Sequence, residues 1–312
     1  KCVKIVSTPV KLGNIVLASA NGTITTGRLQ AGSADATSNK NCSFLDFSST
    51  DVDANGDPFY AVLNNKPDAM KVWVKFKAGE GNKNPKATIS ALLTNGKMAQ
   101  DPEDEQYAAN IIARAQNSSI ESKDEWQEIT IPFTYNNAEE MPKAALVTMS
   151  TCAVPSGGSK SETNPDVLYV DDVEMVYNAG VKKVTMDGED ITNKFDEAGE
   201  LEIEGYNKNL DINNFQLEAI GAGAYVTKKI TADSFNTYVS FTVTSNDLKN
   251  CVTRTITFKD YTTGIKNLET ITLPNGVKAI YNMAGQQVTS MQSGQVYIVK
   301  YTNGESKKMI KK

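Results

Sequence analysis

The chain of 312 residues contains no histidine. Ser-His-Asp and Cys-His catalysis are therefore excluded, as are a histidine general base and any histidine-ligated zinc site. Cysteine is scarce. Cys2, Cys42, Cys152 and Cys251 lie far apart, and no two form a C-x-x-C pair, which excludes a zinc ribbon and a dithiol redox motif. Their even number allows disulfides in an oxidising compartment, with Cys42–Cys152 the one pairing that suggests itself; buried free thiols fit equally. No apolar run approaches the ~20 residues that span a bilayer. No secretory leader is apparent. The abrupt start at Lys1 reads as a mature or trimmed form, and Cys2 follows a lysine, not a lipid-anchor cleavage site.

A basic face is missing too. The net charge is −5, with lysines and acids interleaved through both halves, so nucleic acid is not an expected partner. Neither G-x-S-x-G, S-x-x-K nor a P-loop occurs. GEGNKN (79–84) lacks the third glycine of a dinucleotide loop and precedes a strand pattern, not a helix. Carboxylates are plentiful (Asp101, Glu103, Asp104, Glu105, Asp171, Asp172, Glu174). Yet no pattern sets two of them in contrasting environments, as an acid–base pair requires. Asp171 and Asp172, as neighbours in a strand, are expected to point to opposite faces. A non-catalytic protein is the expectation.

What is present is ordinary globular composition, 40% hydrophobic and 22% charged, at a length for two or three domains. Alternating runs predict strands at 70–76 (MKVWVKF), 86–93, 126–133 (WQEITIPF), 144–150 and 167–177 (VLYVDDVEMVY). DPEDEQYAANIIARAQ (101–116) has proline and acids at its start, as a helix would, but reads equally as a loop feeding a strand NIIARAQ. After a break at 178–180, six or seven short strand patterns end near Lys259, the spacing of an immunoglobulin-like sandwich. Beyond a linker DYTTG (260–264), the runs VKAIYNM, QVYIVKY and SKKMIKK predict a small terminal β-unit.

Two stretches carry candidate chemistry. In DVDANGDPFY (51–60), Asp51, Asp53, Asn55 and Gly56 match the front half of a calcium loop, with Asp57 a spare carboxylate. The closing glutamate is absent, since the twelfth position is Val62. A turn in which Asx side chains cap their own backbone is the alternative. In MKVWVKF, Met70, Val72, Val74 and Phe76 share one face, and Lys71, Trp73, Lys75 and Lys77 the other. An indole among lysines on a sheet can stack on a sugar ring while its neighbours donate hydrogen bonds. Alternatively it lies under the loops that follow, its edges covered by lysine stems. Tyr60, Tyr107 and Tyr135 are weaker candidates for the same platform, and Trp126 reads as a core or edge anchor.

NGTITTGRLQAG (21–32), DPFYAVLNNKPDAMKVWVKFKAG (57–79), WQEITIPFTYNN (126–137) and VLYVDDVEMVY (167–177) occur in a recognisable order and spacing. Over residues 15–178 the chain thereby resembles the "putative carbohydrate metabolism domain" of Bacteroidetes surface proteins. The resemblance implies a jelly-roll like that of carbohydrate-binding modules. It also implies a structural calcium beside the LYVDD strand, with Asp171 or Asp172 as ligand. Two departures weaken the sugar contacts: Trp73 is the only ring where aromatic pairs are usual, and SGGSKSETNPD is shorter than the glycine-rich loop expected. Residues 264–312, with IYNMAGQQV, GQVYIVK and a basic end, resemble the C-terminal sorting domain read by the type IX secretion system. That likeness implies export and removal of the tail; a plain terminal β-module is the alternative. The middle stretch resembles only a generic bacterial Ig-like spacer.

The sequence thus predicts an all-β protein: a jelly-roll over 1–178, an Ig-like sandwich over 179–260 and a small sorting-like β domain over 261–312. The expected function is glycan binding by a secreted or surface protein, with Trp73, Lys71, Lys75, Tyr60 and Tyr107 contacting a polysaccharide or oligosaccharide. Calcium at Asp51, Asp53, Asn55, Asp57 and Asp171 is the one cofactor suggested. A structural or adhesive protein with a protein partner is the second reading, favoured by an exposed patch of several rings, whereas a single Trp in a groove favours sugar. A glycoside hydrolase is the third; it needs two carboxylates about 5–10 Å apart in one cleft.

Overall fold

A computed structural model describes all residues except 49, 51, 207, 260–267, 272–275, 289–290 and 311–312, with the backbone alone at 268–271. The chain is nearly all β and forms two compact units, Lys1–Val176 and Tyr177–Lys312.

In the first unit two antiparallel sheets face each other. One has the order β1 (Val3–Val6), β15 (Val167–Val176), β8 (Ala69–Lys77), β12 (Gln127–Pro132). The other runs β13 (Thr134–Tyr135), β11 (Ile111–Glu121), β9 (Lys86–Thr94), β14 (Ala144–Ser150), β4 (Thr23–Thr25), with β7 (Ala61–Val62) also on β14. The chain crosses repeatedly between the sheets, as in a jelly-roll. Alternation makes the core: Val72, Val74 and Phe76 from one sheet meet Ile89, Leu93, Ala113 and Val147 from the other. The far side of the six-stranded sheet is partly covered by a third sheet of β5 (Arg28–Ala31), β6 (Asn41–Leu45) and β10 (Ala99–Asp101). Leu45 and Ala99 there pack on Leu92 and Leu146. A hairpin of β2 (Thr8–Leu12) and β3 (Ile15–Ala20) completes the unit.

Residues 101–116 are not a helix. Asp104 caps a short 3-10 turn, Glu105–Asn110, by accepting from the Gln106 N–H, and β11 begins at once. Ala113 and Ala115 are buried in the inner core and Ile111 on the far side of the sheet, the change of face falling at a register shift, and pairing with β9 decides the conformation. The four cysteines are free thiols, so the Cys42–Cys152 pairing is not formed.

In the second unit, β16 (Gly180–Met186), β17 (Glu189–Asp190) and β19 (Phe215–Ile220) face a five-stranded sheet of β18 (Glu200–Ile203), β22 (Cys251–Phe258), β21 (Thr237–Thr244), β20 (Tyr225–Ala232) and β23 (Leu268–Ile271). Phe215, Phe241 and Phe258 fill the space between. A last sheet, β24 (Val277–Asn282), β25 (Gln287–Val288), β26 (Val296–Tyr301) and β27 (Ser306–Ile310), shares a cluster with Tyr225 and Leu248.

Candidate functional site

The outer face of the four-stranded sheet carries the candidate platform. Along β8, Met70, Val72, Val74 and Phe76 are buried, and Lys71, Trp73 and Lys75 are half-buried on the opposite face. Register sets Trp73 between Glu128 of β12 and Asp171 of β15, and Lys71 between Thr130 and Glu174. Lys71 Nζ lies 2.5 Å from Glu174 Oε1 and 3.9 Å from Glu128 Oε2. Its hydrogen bond to Glu174 holds the ammonium above its usual range. Trp73 therefore lies in a frame of charges, not in an apolar patch.

A β-bulge builds part of that frame. Between Asp171 and Glu174, β15 spends one residue more than β8, and Asp172 takes a left-handed φ of 47°. Simple alternation would set Val173 beside Lys71. The bulge substitutes Glu174, returns Met175 to the inner side opposite Met70, and breaks the expected opposition of Asp171 and Asp172.

Two further rings share the face. Tyr169 of β15 is half-buried opposite Lys75, with Lys4 Nζ 6.0 Å from its ring centre. Trp126 is 41% exposed, and continuing the β12–β8 register by one residue brings it opposite Lys75. It is thus no core anchor. Tyr169 is a diagonal neighbour of Trp73, within the ~7–8 Å that such pairs span. Alternation in VLYVDD sets Tyr169 outward, a signal the sequence carries. By contrast, Tyr60 packs on Phe47, ring centres 4.5 Å apart, over the far side of the other sheet. Tyr107 lies in the 3-10 turn beside β10 and β11. Neither joins Trp73. Tyr135 packs on the inner core and donates to the Pro67 carbonyl.

Of the calcium-loop residues, Asp51 lies outside the described ones. Asp53 Oδ1 accepts from the Asn55 and Asp57 N–H groups at 2.7 and 3.0 Å, and the Asp53 N–H donates to the Asp57 carbonyl at 2.8 Å. These bonds hold the Asp53 carboxyl below its usual range. Gly56, at φ 87°, lets the loop close on itself as an Asx turn. Asp171 belongs to the platform, its Oδ1 accepting from the Asp172 N–H. Among the described residues no three Asp, Glu or Cys side chains gather as a metal group.

A second polar region lies on the far face of the six-stranded sheet. Asp101 stands over β9, where the Ser90 hydroxyl donates to Oδ2. Burial pushes this carboxyl above the ordinary 3.8, and Glu103 adds to the rise, while the Ser90 and Thr148 hydroxyls oppose it. The folded state thus holds the proton more tightly than the unfolded chain, so this group's contribution to stability is greatest at low pH and falls as pH rises above 3.8. We expect Asp101→Asn to raise Tm at pH 7 and the gain to vanish by about pH 4. Thermal melts across that range check it; a gain independent of pH would refute this account of Asp101.

One carboxylate missed by sequence reasoning ties the loops together. Asp166 is fully buried. Its Oδ1 accepts from the Gly79 N–H and Asn82 Nδ2, both at 2.7 Å, and its Oδ2 from the Ser159 N–H at 2.6 Å. A Cβ on Gly158 would stand 2.5 Å from Oδ2, so a glycine is required there. The cue is an Asp entering a strand just after a Gly-Gly loop.

No protein-family model matches the chain, and no curated protein does. Two solved structures resemble it. One, described as a "putative glycoside hydrolase" from Bacteroides thetaiotaomicron, has a TM-score of 0.41 and 14% identity over 57% of this chain. The chain spans about half of that protein (54%). The other, with the same description and from Bacteroides vulgatus, has a TM-score of 0.39 and 15% identity, covering 56% of this chain and 72% of its own.

Proposed function

We propose that this is a secreted or surface-exposed glycan-binding protein without catalytic activity, and that Trp73, Tyr169 and Trp126 form its stacking platform with Lys71 and Lys75 as polar neighbours. The observation that carries this reading is one sheet face on which Trp73 and Tyr169 hold diagonal register positions among charged side chains, with Trp126 41% exposed just before β12. Rings set among charges suit the apolar faces and hydroxyl edges of sugars. Hydrolysis is disfavoured at the carboxylates described. Glu103 accepts two N–H groups from Arg114, and Glu128 and Glu174 flank Lys71. Glu103, the acid whose charge acts on Asp101, is thereby paired. The likeness of the tail to a sorting domain supports export.

The number of rings favours a second reading, in which the partner is a protein. Affinity electrophoresis of the full chain in plant, host and microbial polysaccharides separates the two. We expect retardation by at least one glycan, weakened about tenfold in Trp73→Ala and also reduced in Trp126→Ala, a ring contact contributing roughly 0.5–1.5 kcal/mol beyond buried area. Retardation unchanged in both variants, or absent with every glycan, would sink the sugar platform and turn attention to protein partners.

A further inference from the structure

Register divides the outer face of the four-stranded sheet by charge. Trp73 lies between two carboxylates, Asp171 of β15 and Glu128 of β12. Tyr169, its diagonal neighbour, has the opposite setting. It lies between two lysines, Lys4 of β1 and Lys75 of β8, with Lys4 Nζ 6.0 Å from its ring centre. Trp126, 41% exposed, precedes β12 at the Lys75 end of that strand's register.

The lysines of this face differ in what holds them. Lys71 Nζ is 2.5 Å from Glu174, and Lys77 Nζ 2.9 Å from Asp124. Among the described residues Lys4 and Lys75 enter no ion pair. Lys75 acts on the charge of Asp124, but Lys77 holds that carboxylate. Lys75 is half-buried all the same. A charge drawn partly out of water with no ion-pair partner in the chain favours a ligand that brings the counter-charge.

The rings select the kind of anion. A small inorganic anion gains nothing from Tyr169 or Trp73, and a cationic ligand meets two lysines. A sugar lies flat on an aromatic face while its carboxylate or sulfate extends sideways to an ammonium. Over Trp73 an acidic sugar would meet Asp171 and Glu128 as like charges, whereas a neutral one donates its hydroxyls to them.

Resting on the reading of this face as a glycan platform, we propose that it selects an acidic glycan: a sugar bearing a carboxylate or sulfate lies over Tyr169, between Lys4 and Lys75, beside a neutral sugar over Trp73.

The test is calorimetric titration of the full chain with chondroitin, hyaluronan and glucuronoxylan, in which a uronic acid adjoins a neutral sugar. Each is run beside its carboxyl-reduced form, with polygalacturonate as a purely acidic probe. We expect at least one acidic glycan to bind about tenfold more tightly than its reduced form, the effect of one hydrogen bond between charged groups. That preference should vanish near 1 M salt, where the Debye length is about 3 Å. Lys75→Gln and Lys4→Gln should each remove most of it and leave affinity for the reduced form unchanged. Lys182→Gln, the same loss of charge in the second unit, should alter neither. Chondroitin sulfate identifies the group held: tighter binding than chondroitin assigns the sulfate, equal binding the carboxylate, and either supports the proposal. Equal affinity for acidic and reduced forms, or a preference that survives both lysine variants, overturns it. So does polygalacturonate bound as tightly as the mixed glycans. If Trp73→Ala still weakens binding in those cases, the platform stands without its charge selection. Binding of no glycan, acidic or neutral, removes the platform as well.

Discussion

Asp166→Ala should destabilise the first unit by about 3–5 kcal/mol, the range for breaking a buried charged pair or network. The carboxylate is fully buried and no cation is among its partners. Three N–H donors stabilise it: two from backbone at Gly79 and Ser159, one from the Asn82 amide. Gly79 and Asn82 lie in a loop more than eighty residues away in sequence, and Ser159 lies in the segment just before the strand that Asp166 enters. Around the same point, the Asp166 N–H donates to Ser7 Oγ, and Ser159 Oγ donates to the Glu80 carbonyl. Removing the carboxylate strands three N–H donors at once, the Ser159 one buried and the other two part-buried. Asp166→Asn should not rescue it, because an amide must turn its NH2 toward either the Ser159 N–H or the Gly79 and Asn82 donors. Urea unfolding checks this. A midpoint within error of wild type for Asp166→Ala would show that water replaces the carboxylate.

Asp166 also marks the limit of what the sequence discloses. Periodicity makes β8, β9 and β14 legible, because burial on one side of a sheet imposes a period of two on the side chains themselves. The outward triad Lys71, Trp73, Lys75 follows from the same rule. What periodicity does not carry is long-range pairing. Glu174 reaches Lys71 only because a bulge inserts one residue into β15, and a bulge leaves no mark in an alternating string. Tyr60 read as a weaker candidate for the same platform as Trp73, yet the chain crosses between sheets after it and leaves it on another layer. Of the two readings of Trp126, core or edge, the edge one fits: its strand begins one residue later, at the sheet's edge, where an inward anchor is not required. Residues 101–116 show local signals outvoted, since the capping acids made one 3-10 turn before the sheet claimed Ile111.

Phe76→Ala should cost about 3–5 kcal/mol, the range for truncating a buried aromatic. At roughly 2–4 °C per kcal/mol for a domain of this size, Tm should fall by about 6–20 °C. Phe76 is fully buried in the cluster that joins the two sheets, opposite Leu168 of β15, and its carbonyl accepts from the Lys123 N–H at 2.9 Å. The vacated volume is bounded by β-strands paired on both edges, which relax less than a helix end or a loop, so the cavity should persist. Because Phe76 and Val74 fix the inward side of β8, they also fix the outward aim of Lys75 and Trp73. The variant should therefore weaken platform binding near its lowered melting temperature and bind like wild type well below it. Lys77→Ala, one residue on but exposed and paired only with Asp124, should leave Tm where it is. If the two substitutions proved equally damaging, the stability of this strand would depend on its charged edge and not on the core beneath it.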